Sequence, residues 1–173
     1  MPYRQRVIRC ASAQHAVIGA EIITTITADK QRATILSDNM VGAGTHLNAV
    51  GGDCPGKTEL ARDILLRAEI FVEYAPQTRL EGEIQQLSAD HPVTELWEVV
   101  AGRKPGRRSR RAITIFDAVG FAIEDFSVLR LLRDLADELE IDDEIDLIAR
   151  PDDPKNLFAL LRAPQTERSR QWA

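Results

Sequence analysis

The residues best suited to chemistry lie in one short run: Gly51, Gly52, Asp53, Cys54, Pro55, Gly56 and Lys57. Adjacent glycines let a backbone approach a ligand closely, and their N–H groups suit a phosphate or a carboxamide. Asp53 can take and return protons if its surroundings bring its pKa near the working pH. Lys57, four residues on, can pair with Asp53 or with an anion. A plainer reading is a glycine-rich turn in which Asp53 caps the following helix. Residues 51–58 also satisfy G-x-x-x-x-G-K-[ST], the phosphate-binding P-loop pattern. Ile113, Thr114, Ile115, Phe116 and Asp117 imitate the apolar strand whose terminal Asp would hold magnesium. Pro55 removes an N–H from such a loop and Asp53 sets a negative charge beside the phosphates. Nucleotide binding through Lys57 and Thr58 is therefore the second reading.

Strands must hold these residues. Residues 45–50 read as a strand entered through Gly42 and Gly44, so the 51–57 loop leaves its carboxyl end. Residues 21–27, rich in β-branched side chains, predict a buried strand ending in Thr27, Ala28, Asp29 and Lys30. Residues 112–117 predict a third, ending in Asp117, Ala118, Val119 and Gly120. Ligands gather at the carboxyl ends of parallel strands, so the three loops are expected on one edge of one sheet.

The remaining pattern alternates strand and helix. Residues 7–10 predict a short strand, and Ser12 an N-cap for a helix ending at Gly19. Leu60, Ile64 and Leu65 give residues 57–68 a helical spacing. Residues 69–75 predict a strand stopped by Pro76, and residues 80–87 and 94–101 predict helices. A polar turn at 103–111 precedes a long helix from near 121 to about 140. Such alternation implies right-handed crossovers and a mostly parallel sheet with helices on both faces. The expected class is α/β with a Rossmann-like sheet. Beyond Ile141 the chain is acidic and contains Pro151, Pro154 and Pro164, which break regular structure. A short helix is expected at 157–161 and a mobile end at 165–173.

Composition narrows the function classes. The chain has 173 residues, enough for a hydrophobic core, and 44% apolar and 28% charged residues, as in ordinary water-soluble domains. Its net charge of -5 argues against general nucleic-acid binding. No apolar run reaches membrane-spanning length and no secretory leader is visible, so a cytoplasmic protein is expected. Cys10 and Cys54 are expected to be free thiols, and no metal-ligand spacing occurs. The cations Arg103, Lys104, Arg107, Arg108, Arg110 and Arg111 lack stacking aromatics and read as a solvated loop. The acidic run from Asp134 to Asp146 lacks calcium-loop spacing, and His15, His46 and His91 show no ligand pattern.

Four blocks in order resemble the ornithine cyclodeaminase and mu-crystallin family. They are Asn48 onward through Gly51, Gly52, Asp53, Cys54 and Pro55 to Leu60; Ile22 to Lys30; Gln77 to Gln85; and Thr114 to Gly120. The resemblance runs from about residue 7 to 161. It implies that Asp53 is the catalytic acid/base. It implies that Thr27, Val50, Gly51, Gly52, Asp53, Lys57 and Ala118 neighbour an NAD cofactor, with Ala118 replacing the usual serine. Val119 is implied to lie beside the amino-acid substrate. The implied reaction converts L-ornithine to L-proline with loss of ammonia: NAD takes and returns a hydride while Asp53 moves protons.

The departures are large. A Rossmann site needs G-x-G-x-x-G opening a helix, but Gly42 and Gly44 are followed by Leu47 and precede a strand. The family's amino-terminal substrate and dimerisation domain has no counterpart. The chain therefore reads as the carboxyl-terminal half of a homodimeric family protein. Residues 1–125 are expected to form part of the Rossmann domain, and 126–173 a helix and irregular tail. Without the usual pyrophosphate anchor, weak NAD binding and no activity alone are expected, with a strand left at an open edge. A third reading is a non-catalytic remnant that pairs with a full-length relative.

Overall fold

The computed structural model describes residues 6–27, 33–141 and 155. The chain divides into two compact units, Met1–Ser127 and Val128–Ala173. The first contains α1 (Ala13–Val17), β1 (Ile22–Thr25), β2 (His46–Ala49), α2 (Arg62–Leu66) and β3 (Glu69–Val72). It continues through α3 (Ala75–Glu81), β4 (Thr94–Glu95), α4 (Leu96–Val100) and β5 (Thr114–Asp117) to the start of α5 (Ala122–Leu139). The five strands form one sheet in the order β1-β2-β5-β3-β4, and every pairing is parallel. This is the α/β architecture expected from the pattern.

Period-two alternation decides which face is buried. Ile23, Leu47, Ile115, Ile70 and Val72 point to one side and pack with Leu36, Leu60, Ile64, Leu65 and Ile84 in a single core. On the other side Ile22 and Thr24 are exposed, while His46, Asn48, Phe116 and Phe71 are only half-buried. There α4 contributes Leu96 and Val99 beside Phe71 and Phe116, around a cleft of about 340 Å³. Helical cover is thus present on both sides but complete on one. β1 ends the described sheet with β2 as its neighbour, which makes it the expected edge strand.

Several local expectations need correction. Residues 7–10 form no strand among the described residues; Val7 is 94% exposed and has no ladder to join. Ser12 does cap α1 through His15 N–H at 3.2 Å, and Gly19 follows with a positive φ of 73°. The helix expected over 57–68 is confined to α2, because residues 57–61 are not helical and 59–61 pair with residues 35 and 36. Ile35 and Leu36 donate backbone hydrogen bonds to the Glu59 carbonyl, and Ala61 donates to that of Leu36. Pro76 does more than stop a strand, since it sits in the first turn of α3, where a missing N–H costs nothing. The 80–87 helix resolves into the end of α3 and a 3-10 turn, Glu83–Gln86; residues 94–101 split into β4 and α4. The acidic segment after 141, the 157–161 helix and the 165–173 tail lie outside the described residues, as do 28–30.

Two buried carboxylates tie the loops together. Asp117, at the end of β5, accepts the amides of Glu83 (3.0 Å) and Ile84 (2.9 Å). Glu83 accepts those of Glu59 (2.6 Å) and Leu60 (3.1 Å), with Gln86 Nε2 at 3.0 Å. Burial pushes Glu83 up to about 7, against its backbone donors and assisted by repulsion from Asp117 and Glu59. Burial likewise raises Asp117 to about 6, with repulsion from Glu73 adding to it.

In the second unit, the remainder of α5 sets Val128, Leu131, Leu132, Leu135 and Leu139 at helical spacing. Arg133 pairs with Asp134 at 2.6 Å.

The pH dependence of stability follows from the two raised values. The folded state holds these protons more tightly than the unfolded chain, so their contribution is full at low pH. It is lost as pH rises through 6 and 7. The protein should be about 2–4 kcal/mol more stable near pH 5 than near pH 8 on this account. Urea denaturation should show that slope, and Glu83→Gln should remove more than half of it; an unchanged slope would mean that Glu83 is not the group responsible.

Candidate functional site at the carboxyl edge of the sheet

β1, β2, β5 and β3 end in register: Thr25 neighbours Ala49, Ala49 neighbours Asp117, and Asp117 neighbours Val72. The loops carrying Thr27, residues 50–57 and residues 118–120 therefore leave the same edge, as the strand pattern predicts. Val50 N–H donates to the Thr25 carbonyl at 3.1 Å, and Ala118 N–H to that of Ala49 at 3.0 Å. These two bonds extend the ladder beyond the strands and fix where each loop begins.

Asp53 projects outward with 61% of its side chain exposed, and its Oδ1 lies 3.3 Å from Lys57 Nζ, whose side chain is 4% exposed. The ammonium is thus held within the protein and presented to the carboxylate from beneath. Asp53 caps no helix: α2 begins nine residues later with Ala61 at its N-cap position. The P-loop reading fails on the same geometry. A P-loop wraps its backbone around a helix N-terminus that begins at the Lys-Ser/Thr pair. Here Lys57 closes a turn onto the Cys54 carbonyl at 3.3 Å, and Lys57, Thr58 and Glu59 are buried in non-helical backbone.

The glycines serve the protein's own packing. A Cβ on Gly51 would overlap the Glu59 carboxylate, and one on Gly52 would stand 2.9 Å from the Glu81 carbonyl oxygen. Each side-chain space is already filled from within, so neither residue is glycine merely to admit a ligand. Gly56 is different: its φ is 86°, and its N–H donates to Gln85 Oε1 at 2.6 Å. Gln85 Nε2 donates in turn to the carbonyls of Lys57 (3.0 Å) and Gly82 (2.8 Å), closing the loop against the 3-10 turn.

Thr27 is half-buried and both its N–H (2.8 Å) and its hydroxyl donate to Glu59 Oε1. Ala118 is buried and Val119 half-buried. Glu73 Oε2 accepts the amides of Val119 (3.1 Å) and Gly120 (3.0 Å), while Tyr74 stacks on Phe121 at 5.2 Å. Burial raises the Glu73 pKa, with repulsion from Glu124 adding to it and the two amides opposing. Sequence reasoning missed Glu59, Glu73 and Glu83 as the residues that hold the site. Their one visible signal was an acid set between β-type or apolar neighbours.

The pieces brought together are a carboxylate, an ammonium, a hydroxyl and the apolar surfaces of Val50, Ala118 and Val119. A carboxylate held against an ammonium can exchange protons with a group docked on that edge. A cleft of about 770 Å³ lies at the opposite edge, between Glu21, Gly42, Gly44, His46 and Arg107, and includes none of these residues. No metal-ligating cluster occurs among the described residues. None of the described helices is long and apolar enough to cross a membrane.

Replacing Gly51 by alanine should destabilise the protein by about 1–3 kcal/mol, the range for forced overpacking. Glu59 is pinned by Thr27 and cannot swing aside. A shift of the urea midpoint would register the loss; a neutral Gly51→Ala would show that Glu59 does not occupy this space.

Known proteins resemble this chain in sequence and fold. The chain is 62% identical over 159 residues to the ornithine cyclodeaminase of Agrobacterium fabrum, covering 92% of this chain and 45% of that enzyme. An archaeal alanine dehydrogenase dimer with bound NAD superposes with a TM-score of 0.69 at 33% identity, over 79% of this chain and 43% of its own. A lysine cyclodeaminase structure, described as recognising L-lysine, L-ornithine and L-2,4-diaminobutyric acid, gives 0.67 at 31% identity, over 87% and 44%. The chain thus spans less than half the length of these relatives. The model of the Ornithine cyclodeaminase/mu-crystallin family matches residues 2–140, and the chain belongs to that family.

Proposed function

We propose that this chain supplies the nicotinamide side of an NAD-linked amino-acid site whose reaction is the conversion of L-ornithine to L-proline and ammonia. One observation carries the reading: Asp53 stands over buried Lys57 on an edge shared by the Thr27 and Ala118–Val119 loops. Identity of 62% to an ornithine cyclodeaminase supports the substrate class, and NAD bound to the archaeal neighbour supports the cofactor.

The residues present fit the nicotinamide end of such a cofactor. Val50, Gly51, Gly52 and Ala118 form the wall, while Thr27 and Lys57 supply polar contacts. NAD, when bound, supplies a hydride acceptor and donor. Asp53 takes and returns protons at the substrate nitrogens, Lys57 orients its carboxylate, and Val119 packs beside the amino acid. The pyrophosphate is not provided for in the same way. Gly42 and Gly44 lie at the opposite edge, where Gly44 turns with a φ of 85° against the Arg110 carbonyl. We therefore expect weak NAD binding, if any, and no turnover by the chain alone.

Thermal shift separates the readings, because a ligand that binds the native state raises its midpoint. NAD should raise it and ATP with magnesium should not; a shift with ATP alone would favour the P-loop alternative. Incubation with ornithine and NAD should form no proline. Proline formation would show that this chain suffices, and Asp53→Asn should then lower turnover by roughly 10²–10⁴-fold, the usual range for a lost acid/base.

A further inference from the structure

The hydrogen bonds of Thr27 run in one direction. Its amide N–H can only donate, and it donates to Glu59 Oε1 at 2.8 Å; its hydroxyl donates to the same oxygen. A threonine hydroxyl has one proton and two lone pairs. With the proton committed to a carboxylate, only lone pairs remain for anything that docks against the exposed side of Thr27.

Glu59 is held so that it cannot release that proton by moving. It is 1% exposed, and its carboxylate fills the space beside the Gly51 Cα. Its amide is gripped by Glu83 at 2.6 Å, and its carbonyl accepts Ile35 (2.7 Å) and Leu36 (3.2 Å). Its Oε2 and the nearby-strand Thr25 Oγ1 are buried without a hydrogen-bond partner among the described residues. Nothing in those bonds draws Glu59 away from Thr27.

We propose that Glu59 is a positioning residue that makes the Thr27 hydroxyl an obligate hydrogen-bond acceptor, so that this corner of the site selects a ligand group carrying N–H or O–H. On a nicotinamide nucleotide that group is either the carboxamide amine or a ribose hydroxyl. A phosphate or a carbonyl oxygen at the same place would meet lone pairs backed by a buried carboxylate. The inference rests on Thr27 neighbouring the cofactor, as proposed above, but the direction of the bond comes from Glu59 alone.

The test compares NAD with its acetylpyridine analogue, in which a methyl replaces the carboxamide amine. Binding to the wild-type chain, Thr27→Val and Glu59→Ala is followed by ligand-observed NMR at millimolar concentration. Valine keeps the β-branched shape and the amide bond but removes the acceptor, and circular dichroism checks that the fold is retained. Thr27→Val should weaken NAD about 5–50-fold, the effect of leaving one donor unpaired. If the analogue is spared, the donor is the carboxamide; if it weakens equally, the donor is a ribose hydroxyl. Where the donor is the carboxamide, Glu59→Ala should erase the wild-type preference for NAD over the analogue, a readout that simple loosening of the fold would not produce; where it is a ribose hydroxyl, Glu59→Ala should weaken both dinucleotides together. If Glu59→Ala does not fold, Thr27→Val decides. NAD binding indifferent to Thr27→Val would overturn the inference while leaving the cofactor reading intact. Absence of NAD binding to the wild-type chain would sink both.

Discussion

The architecture of the edge depends on buried carboxylates accepting backbone amides from the next segment along. Asp117 holds residues 83 and 84, Glu83 holds residues 59 and 60, and Glu59 holds residue 27. Each link joins segments distant in sequence: the end of β5 to the turn after α3, that turn to the extended stretch after the 51–57 loop, and that stretch to the end of β1. A buried carboxylate is expensive to desolvate, and the raised pKa values of Asp117 and Glu83 record that penalty. The return is geometric. Loops whose Leu60 and Ile84 side chains enter the core are fixed in position by hydrogen bonds whose donors cannot be satisfied by water once buried.

This arrangement explains why glycine occurs where it does. Gly51 leaves room for Glu59, and Gly82 leaves room for Asp117, whose Oδ1 would lie 2.7 Å from an added Cβ. A glycine-rich run at the end of a strand invites a ligand-binding explanation first. Here two of the glycines accommodate protein groups that position the loop, and the ligand-facing chemistry is left to Asp53, Lys57 and Thr27. The apparent P-loop dissolves for the same reason. Glu83 and Leu36 hold the backbone of residues 59–61 extended, so no helix N-terminus follows Lys57.

Much of the sheet was legible from residue type. β1 and β5 are short β-branched or apolar runs, β2 alternates polar and apolar residues, all three end at polar or glycine-rich loops, and α5 shows its periodicity over five turns. The common edge of Thr27, Asp53 and Ala118 followed from parallel topology. Residues 57–61 were not legible, because Leu60, Ile64 and Leu65 fit a helical stripe while the deciding interaction comes from Glu83, more than twenty residues later. Residues 7–10 have strand-like composition, but composition does not supply a neighbouring strand. The roles of Glu59 and Glu83 were not legible, since burial of a carboxylate depends on amides that only the folded chain brings to it.

Ligand chemistry belongs to the carboxyl edge, and amide chemical-shift mapping with NAD checks this. The shifts should cluster at Thr27, Gly52, Asp53, Lys57, Ala118 and Val119. Shifts confined instead to Gly42, Gly44, His46 and Arg107, around the cleft at the opposite edge, would contradict it.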